Sequence, residues 1–338
     1  MAIPLISIIM PVKNTEQFLP ACLDSIINQS EQDWELIVTD DHSTDNSRAV
    51  VEKFVEKDTR IKLISSSGNG IISALQSSYA LATGDIIHRM DSDDIMPKNK
   101  LQLLKEGLLK EGLNTVVTGK VEYFSEEPIS EGYLQYQYWL NSLCEDNSHW
   151  QHLYEECVVA SPAWMMFKQD FEKCGGFNSN YYPEDYDLVF RWYAAGFKIF
   201  ALRDCIHFWR EHPKRTSRTA AYCNQAAFFK LKLMYFLKFE RDRNRPFLIF
   251  GAGTKGKIMA NFLIDQKEKF YWVNSISKSK QEKTASKYSD YTLGMDQLAE
   301  FIEPQIIITV GEAKSKQQIQ AFMKKHNWVE HKHYFFFR

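Results

Sequence analysis

Three things are missing from this chain of 338 residues: paired cysteines, a long apolar run, and a strong net charge. The six cysteines, Cys22, Cys144, Cys157, Cys174, Cys205 and Cys223, are scattered with no CxxC pair. Such scatter argues against a zinc site or a disulfide framework and fits a reducing compartment. No stretch approaches the roughly 20 consecutive apolar residues of a membrane-spanning helix. The opening, Met1-Ala2-Ile3-Pro4-Leu5-Ile6-Ser7, lacks the basic region and apolar core of a signal peptide, so the chain reads as cytoplasmic. A net charge of −2 sets up no global field toward nucleic acid or membrane. What remains, 44% hydrophobic and 25% charged, is an ordinary globular composition with length enough for two domains. The charge is uneven, however. Residues 203–290 carry 19 Lys/Arg against 8 Asp/Glu, an excess that permits contact with RNA phosphates or with anionic lipid.

The densest chemistry lies in Gly84-Asp85-Ile86-Ile87-His88-Arg89-Met90-Asp91-Ser92-Asp93-Asp94. A short apolar run leads straight into Asp91, Asp93 and Asp94, followed by Pro97 and a helix-like segment over 98–110. That order describes a buried strand delivering acids to the carboxyl edge of a sheet, where open α/β folds bind ligands. Carboxylates so crowded repel one another unless a cation lies between them, and such oxygen donors suit Mg²⁺ or Mn²⁺. A polar loop with helix-capping aspartates would look similar.

Upstream, apolar runs at Ile6–Pro11, Trp34–Thr39 and Ile61–Ile64 alternate with helix-like stretches Phe18–Asn28, Arg48–Lys57 and Ile71–Ala82. Alternation at this spacing predicts an α/β fold, a mostly parallel sheet with helices on both faces. Pro11 is expected to end the first strand, since it cannot continue a central ladder.

Val12-Lys13-Asn14, then Val38-Thr39-Asp40-Asp41-His42-Ser43-Thr44-Asp45, then Arg89-Met90-Asp91-Ser92-Asp93-Asp94 resemble the successive signatures of family 2 glycosyltransferases. The likeness implies a GT-A fold over roughly residues 5–220 and inverting transfer of a sugar, usually from a UDP-sugar, with a divalent metal (Mn²⁺ or Mg²⁺). Under it, Pro11, Val12 and Asn14 match the loop against the nucleoside. Asp41 matches the acceptor of the uracil ring N–H, although a turn or cap role fits the same residue. Asp93 matches the direct metal ligand, while Asp91 lies nearer the ribose and metal water, with Ser92 on the same loop. Arg89 would help neutralise the diphosphate, or form a surface salt bridge.

Further along, Val158–Phe167 resembles the strand bordering the family's acceptor pocket, including Trp164, and Cys174-Gly175-Gly176-Phe177-Asn178 its glycine turn. Pro183-Glu184-Asp185-Tyr186-Asp187 resembles the family's acidic pair opening a helix, which would make Asp185 the catalytic base and Glu184 an orienting group. Acids at a helix start are also favoured by the helix dipole. Phe208-Trp209-Arg210-Glu211-His212-Pro213-Lys214-Arg215-Thr216-Ser217-Arg218 resembles the closing loop, with His212 as a metal ligand and Lys214, Arg215 and Arg218 able to meet phosphates. The aromatic segment Tyr133–Tyr154 can stack on a sugar or base, or pack on the domain edge.

The amphipathic stretch Ala220–Glu240 suits packing between domains or peripheral membrane contact. A new strand at Phe247–Phe250 leads into Gly251-Ala252-Gly253-Thr254-Lys255-Gly256, a GxGxxG turn opening a helix. Strands are expected at Phe270–Val273, Gln305–Val310 and His333–Phe337. No acid follows at Asn274-Ser275 to hold a dinucleotide ribose, so a small Rossmann-like module, structural or substrate-docking, is the expectation. The boundaries are a catalytic domain over 1–220, a helical linker over 221–245 and the module over 246–338. A catalytic domain followed by this module, with Tyr138-Trp139-Leu140-Asn141, resembles the eukaryotic enzymes that galactosylate queuosine in tRNA and their bacterial relatives. The acceptor then is a glycan or lipid-linked saccharide, or a modified tRNA nucleoside, and a galactose-like hexose is the favoured cargo. The competing class is a non-catalytic nucleotide-binding module working through the glycine turn.

Overall fold

Seven strands form the first sheet: Ile6–Val12 (β1), Trp34–Asp40 (β2), Ile61–Ser65 (β3), Ile86–Arg89 (β4), Thr115–Phe124 (β5), Trp164–Phe167 (β6) and Lys198–Arg210 (β7). The computed structural model describes residues 4–215, 218, 224–251, 253–273 and 291–338, without the side chains of 292, 295, 296 and 313. Thr216, Ser217, Ala252, Asn274 and Ser275 from the sequence reading lie outside the described residues. The chain forms two compact units, 1–150 with 157–219, and 151–156 with 220–338.

In the first unit the strand order is β3-β2-β1-β4-β6-β5-β7. All strands run parallel except β6, which is antiparallel to both β4 and β5. Every residue of β1, β2 and β4 is buried, as expected of strands covered on both faces. The covering helices include Leu19–Ile27 (α1), Ser47–Val55 (α2), Ile71–Tyr79 (α3), Lys100–Glu111 (α4), Glu131–Asp146 (α5), Lys168–Lys173 (α6) and Glu184–Ala194 (α7). Leu19, Cys22, Leu23 and Ile26 form the buried stripe of α1 at helical spacing.

Contrary to expectation, β1 runs through Pro11, which pairs in register with Thr39. The ladder with β4 stops at Ile9 opposite Arg89. Beyond that point β1 has one neighbour only, and a missing N–H is tolerated as on an edge. The strand order reverses between β1 and β4, which brings Val12, Asn14, Asp91 and Asp93 to one switch point. Residues 208–210, expected in a loop, belong to β7, because they continue its ladder with Glu122–Phe124 of β5; Phe208 also exchanges backbone hydrogen bonds with Ile95 at 3.0 and 3.1 Å.

The second unit has its own five-stranded parallel sheet. It contains Phe247–Phe250 (β8), Tyr271–Val273 (β9), Thr292–Leu293 (β10), Gln305–Ile308 (β11) and Tyr334–Phe336 (β12), in the order β10-β9-β8-β11-β12. The two-residue β10 escaped the sequence reading, being too short to show a period. Gln225–Phe239 (α8) lies within the stretch read as a linker but belongs to this unit, where Phe236 stacks on Phe247 at 5.7 Å. Thr254–Asp265 (α9) and Ala313–Lys325 (α10) also belong to it. No helix of the described residues is long and apolar enough to cross a membrane.

At the amino edge of the first sheet, Glu35 binds β1, β2, β3 and the turn before β4 together. Its Oε1 accepts from the Ser7 hydroxyl (2.7 Å), the Thr83 N–H (2.6 Å) and the Thr83 hydroxyl (2.7 Å), and Oε2 meets Lys62 Nζ at 2.8 Å. Burial alone would raise this carboxyl, but Lys62 and the Thr83 and Ser7 donors outweigh it and hold it at about 2 instead of 4.5. A depressed carboxylate stabilises the fold above its unfolded pKa and loses that contribution as pH falls toward the folded value. Glu35→Gln is therefore expected to lower the melting temperature at neutral pH and to flatten its decline between about pH 5 and about pH 2. Parallel acid limbs in the two proteins would show Glu35 to be uncoupled.

Candidate active site

Asp91, Ser92, Asp93 and Asp94 follow β4 in a tight turn, and each acid has a different partner. Arg89, at the end of β4 and 5% exposed, donates from Nε to Asp91 Oδ1 at 3.0 Å and from Nη1 to Glu184 Oε1 at 3.1 Å. Asp93 Oδ2 lies 2.9 Å from His212 Nε2, and its backbone carbonyl accepts from Arg210 Nε at 2.7 Å. Asp94, wholly buried, takes the Arg210 N–H on Oδ1 at 2.7 Å and His207 Nε2 on Oδ2 at 2.9 Å. The Ser92 hydroxyl meets Thr15 Oγ1 at 2.9 Å, tying the acidic turn to the loop after β1.

Charge crowding is visible in the titration of these groups. Burial pushes Asp91 up, with Asp93 adding to the shift while Arg89 opposes it. Burial, Asp93 and Asp91 push Asp94 well above the usual carboxylate range. Glu184 rises to about 7, chiefly through burial and then through Asp185 beside it, against the pull of Arg89.

Glu184 and Asp185 open α7, whose first turn favours acids through the helix dipole. Pro183, joined to Tyr182 by a cis peptide, is the N-cap. Asp185 Oδ1 accepts the Tyr186 N–H at 2.7 Å and Oδ2 accepts the Ser161 hydroxyl at 3.0 Å. Asp187 points elsewhere: it is buried and paired with Arg191 at 2.8 Å, whose Nη1 also donates to the carbonyls of Cys174 and Gly176 in the glycine turn.

On the opposite strands, Val12 and Pro11 are buried in β1, and Asn14 holds a left-handed φ of 54° in the loop that follows. The Asn14 side chain accepts from Thr44 N at 2.7 Å, and its N–H donates to the Ser43 hydroxyl at 3.0 Å. Asp41, 3% exposed, accepts the Gly70 N–H on both oxygens (3.0 and 3.1 Å) and pairs with Lys13 Nζ at 3.0 Å.

One expectation changes here, and three arginines acquire partners within the chain. Trp164 does not line an open pocket: it is 2% exposed, stacked on Phe171 and set edge-on to Trp192 at 5.3 Å. Arg89, expected on a diphosphate, is engaged with Asp91 and Glu184. Arg215 and Arg218, expected to meet phosphates, both contact Glu211, at 2.9 and 2.5 Å. Arg215 is also buried against Trp209 (5.0 Å) and Tyr123 (5.6 Å). The aromatic segment supplies part of that packing, Tyr133 meeting Tyr123 edge-on at 5.4 Å, while Tyr138 is 61% exposed. Sequence reading missed Lys13, Gly70, Ser161 and Glu211, residue types too common to stand out without their partners.

The Asp93 carboxylate suits Mg²⁺ or Mn²⁺, while the His212 imidazole is a softer donor that favours Mn²⁺ over Mg²⁺. Among the described residues no group of three or more His, Cys, Asp or Glu forms a complete cage. Two protein ligands completed by substrate phosphates is a usual arrangement for Mg²⁺, so the residues present fit such an ion. Among the described residues the buried His212 Nδ1 has no partner, and the ring packs on Phe18 at 4.5 Å with Nε2 toward Asp93.

A mostly parallel sheet with one reversed strand and an acidic turn at its switch point is the arrangement of a GT-A fold. The description Glycosyl transferase family 2 matches residues 7–175, and the chain belongs to that family; it is a glycosyltransferase. Glycosyltransferase GlyG of Streptococcus pneumoniae is 24% identical over 64% of this chain and 73% of its own length. The Escherichia coli UDP-Glc:alpha-D-GlcNAc-diphosphoundecaprenol beta-1,3-glucosyltransferase WfgD is 39% identical over 32% of this chain and 43% of its own, so the chain spans under half of that relative. Staphylococcus aureus TarS 1-349, solved with UDP-GlcNAc, shares the fold with a TM-score of 0.54 at 17% identity, covering 88% of this chain and 78% of that one.

The shared guanidinium gives a direct test of the geometry. Arg89→Met leaves two partly buried carboxylates without their cation and is expected to lower unfolding free energy by about 3 kcal/mol. Glu184→Gln added to it should restore part of that loss, since one orphaned charge disappears. Urea titrations at pH 7 of the wild type, both single variants and the double variant check this. Additive effects would show that Arg89 and Glu184 do not interact.

Proposed function

We propose that the first unit is an inverting, metal-dependent transferase that moves a hexose from a UDP-sugar to an acceptor hydroxyl. The observation that carries this reading is the convergence on one edge of the sheet. Asp93 with His212 stands at the end of β4, and Arg89 ties its neighbour Asp91 to the Glu184–Asp185 pair. The UDP in the names of WfgD and of the TarS complex supports the donor class.

In this reading Asp185 takes the acceptor proton. A sugar hydroxyl is a poor nucleophile at neutral pH, and a carboxylate in reach is typically worth about 10²–10⁴-fold. The Tyr186 N–H and the Ser161 hydroxyl fix the plane of that carboxylate. Glu184, half-neutral near pH 7 by its raised pKa, can donate as well as accept beside it. Asp41 receives the uracil N–H, with Pro11, Val12 and Asn14 flanking the nucleoside. A divalent ion held by Asp93 and His212 would offset the charge of the departing diphosphate. The acceptor favoured here is a glycan or lipid-linked saccharide, in keeping with the diphosphoundecaprenol substrate named for WfgD. The second reading, a modified tRNA nucleoside such as queuosine with galactose as cargo, rests on the basic excess over 203–290 and on the paired C-terminal unit. Its signature would be turnover that falls steeply with salt.

Calorimetric titration of UDP should show clear binding with Mn²⁺ and little with chelator, because a diphosphate and Asp91 and Asp93 repel without a cation. Equal affinity in both conditions would sink the metal reading. Asp185→Asn should keep UDP affinity within about threefold and lose at least about 10²-fold in kcat. Near wild-type turnover in that variant would pass the role of base to Glu184.

A further inference from the structure

Behind the acidic turn lies a chain of three ionisable side chains that the reaction does not use. Lys100 and His207 are 0% exposed and Asp94 is 1% exposed. Lys100 Nζ donates to the Pro162 carbonyl at 2.7 Å and to His207 Nδ1 at 2.9 Å. The lysine therefore sets the imidazole tautomer, leaving Nε2–H to donate to Asp94 Oδ2 at 2.9 Å. Both ends of the chain lead to the site. Asp94 adjoins Asp93, and its other oxygen takes the Arg210 N–H two residues before His212. Pro162 adjoins Ser161, whose hydroxyl holds Asp185 Oδ2.

Such an arrangement is a poor way to stabilise a core. Replacing a buried ionic trio by apolar side chains of similar volume is often neutral or stabilising. All three side chains are buried, and each is satisfied by its neighbour in the chain or by a backbone group at either end. What apolar groups cannot provide is directional bonding to a carbonyl on one wall and to a backbone N–H on the other. We propose that Lys100, His207 and Asp94 form a buried strut fixing the metal-side turn against the turn that holds Asp185. Lys100 is then a positioning residue of the transfer reaction. The strut rests on the functional reading above, because it takes Asp93 and Asp185 as the working groups.

The test uses the full chain with Lys100→Met, His207→Leu and His207→Gln. Melting temperature, UDP affinity with Mn²⁺ and UDP-sugar turnover against donor concentration are measured for each. Lys100→Met and His207→Leu are expected to lose about 10²-fold in kcat, the scale of a misplacement near 1 Å, with KM for the donor changed far less. His207→Gln keeps an acceptor for Lys100 and a donor for Asp94, and should recover most of the rate. Folded Lys100→Met and His207→Leu proteins with turnover within about threefold of the wild type would overturn the strut alone. A wild type that neither binds UDP with Mn²⁺ nor turns over a UDP-sugar would overturn the site reading, and the strut with it. If Lys100→Met is recovered unfolded, His207→Leu is read against His207→Gln in its place.

Discussion

Three carboxylates within four residues at the end of a four-residue strand are the constraint on which the first unit turns. At contact distance, like charges away from bulk water repel by several kcal/mol even at an effective dielectric near 20. The fold separates them by giving each its own counter-group from a different element. Asp91 has Arg89 from the strand below it, Asp93 has His212 from beyond β7, and Asp94 has His207 from within β7. This explains why β7 is long, 13 residues against four in β4. Its final third, still paired with β5, runs beyond the end of β4 and brings His207, Arg210 and, two residues on, His212 to the acidic turn.

The same economy appears at Arg89. One guanidinium with a forked set of donors holds Asp91 of the acidic turn and Glu184 at the start of α7. Lysine, with a single charged point on a flexible stem, could not span the two with the same geometry. Because burial and Asp185 raise Glu184 to about 7, the pair opening α7 carries less than its formal charge at neutral pH. Two adjacent acids at one helix start thus sit in different surroundings, Asp185 accepting from the Tyr186 N–H and the Ser161 hydroxyl and Glu184 paired with Arg89.

What the sequence showed of this was local. The buried strands β1, β2 and β4, the order of helices and the acidic turn were legible because period and composition repeat within a dozen residues. The course of β1 through Pro11 was not, since it depends on where a neighbouring strand stops. Nor was Lys100: a lysine after Pro97 reads as a solvated helix start, and its partners Pro162 and His207 lie 62 and 107 residues away. Trp164 failed for the opposite reason. An aromatic beside a family-like segment suggests a ligand platform, and only the Phe171 and Trp192 rings show that its faces are already covered.

The glycine turn of the second unit illustrates how a motif can be demanded by the backbone alone. Gly251 has φ 122°, and a Cβ there would lie 2.4 Å from Thr309 Oγ1. A Cβ at Gly256 would fall 1.9 Å from the Gly251 carbonyl oxygen, because strand and helix pack that closely. Both glycines are therefore required whether or not anything binds, and their presence carries no information about a phosphate. Gly253 differs: it is the N-cap of α9, and among the described residues nothing lies within 4 Å of where its Cβ would be. Packing leaves that position open to a side chain. Of the three glycines, only Gly253 stands free of a packing demand, so a role in admitting a ligand to the helix start would have to be written there.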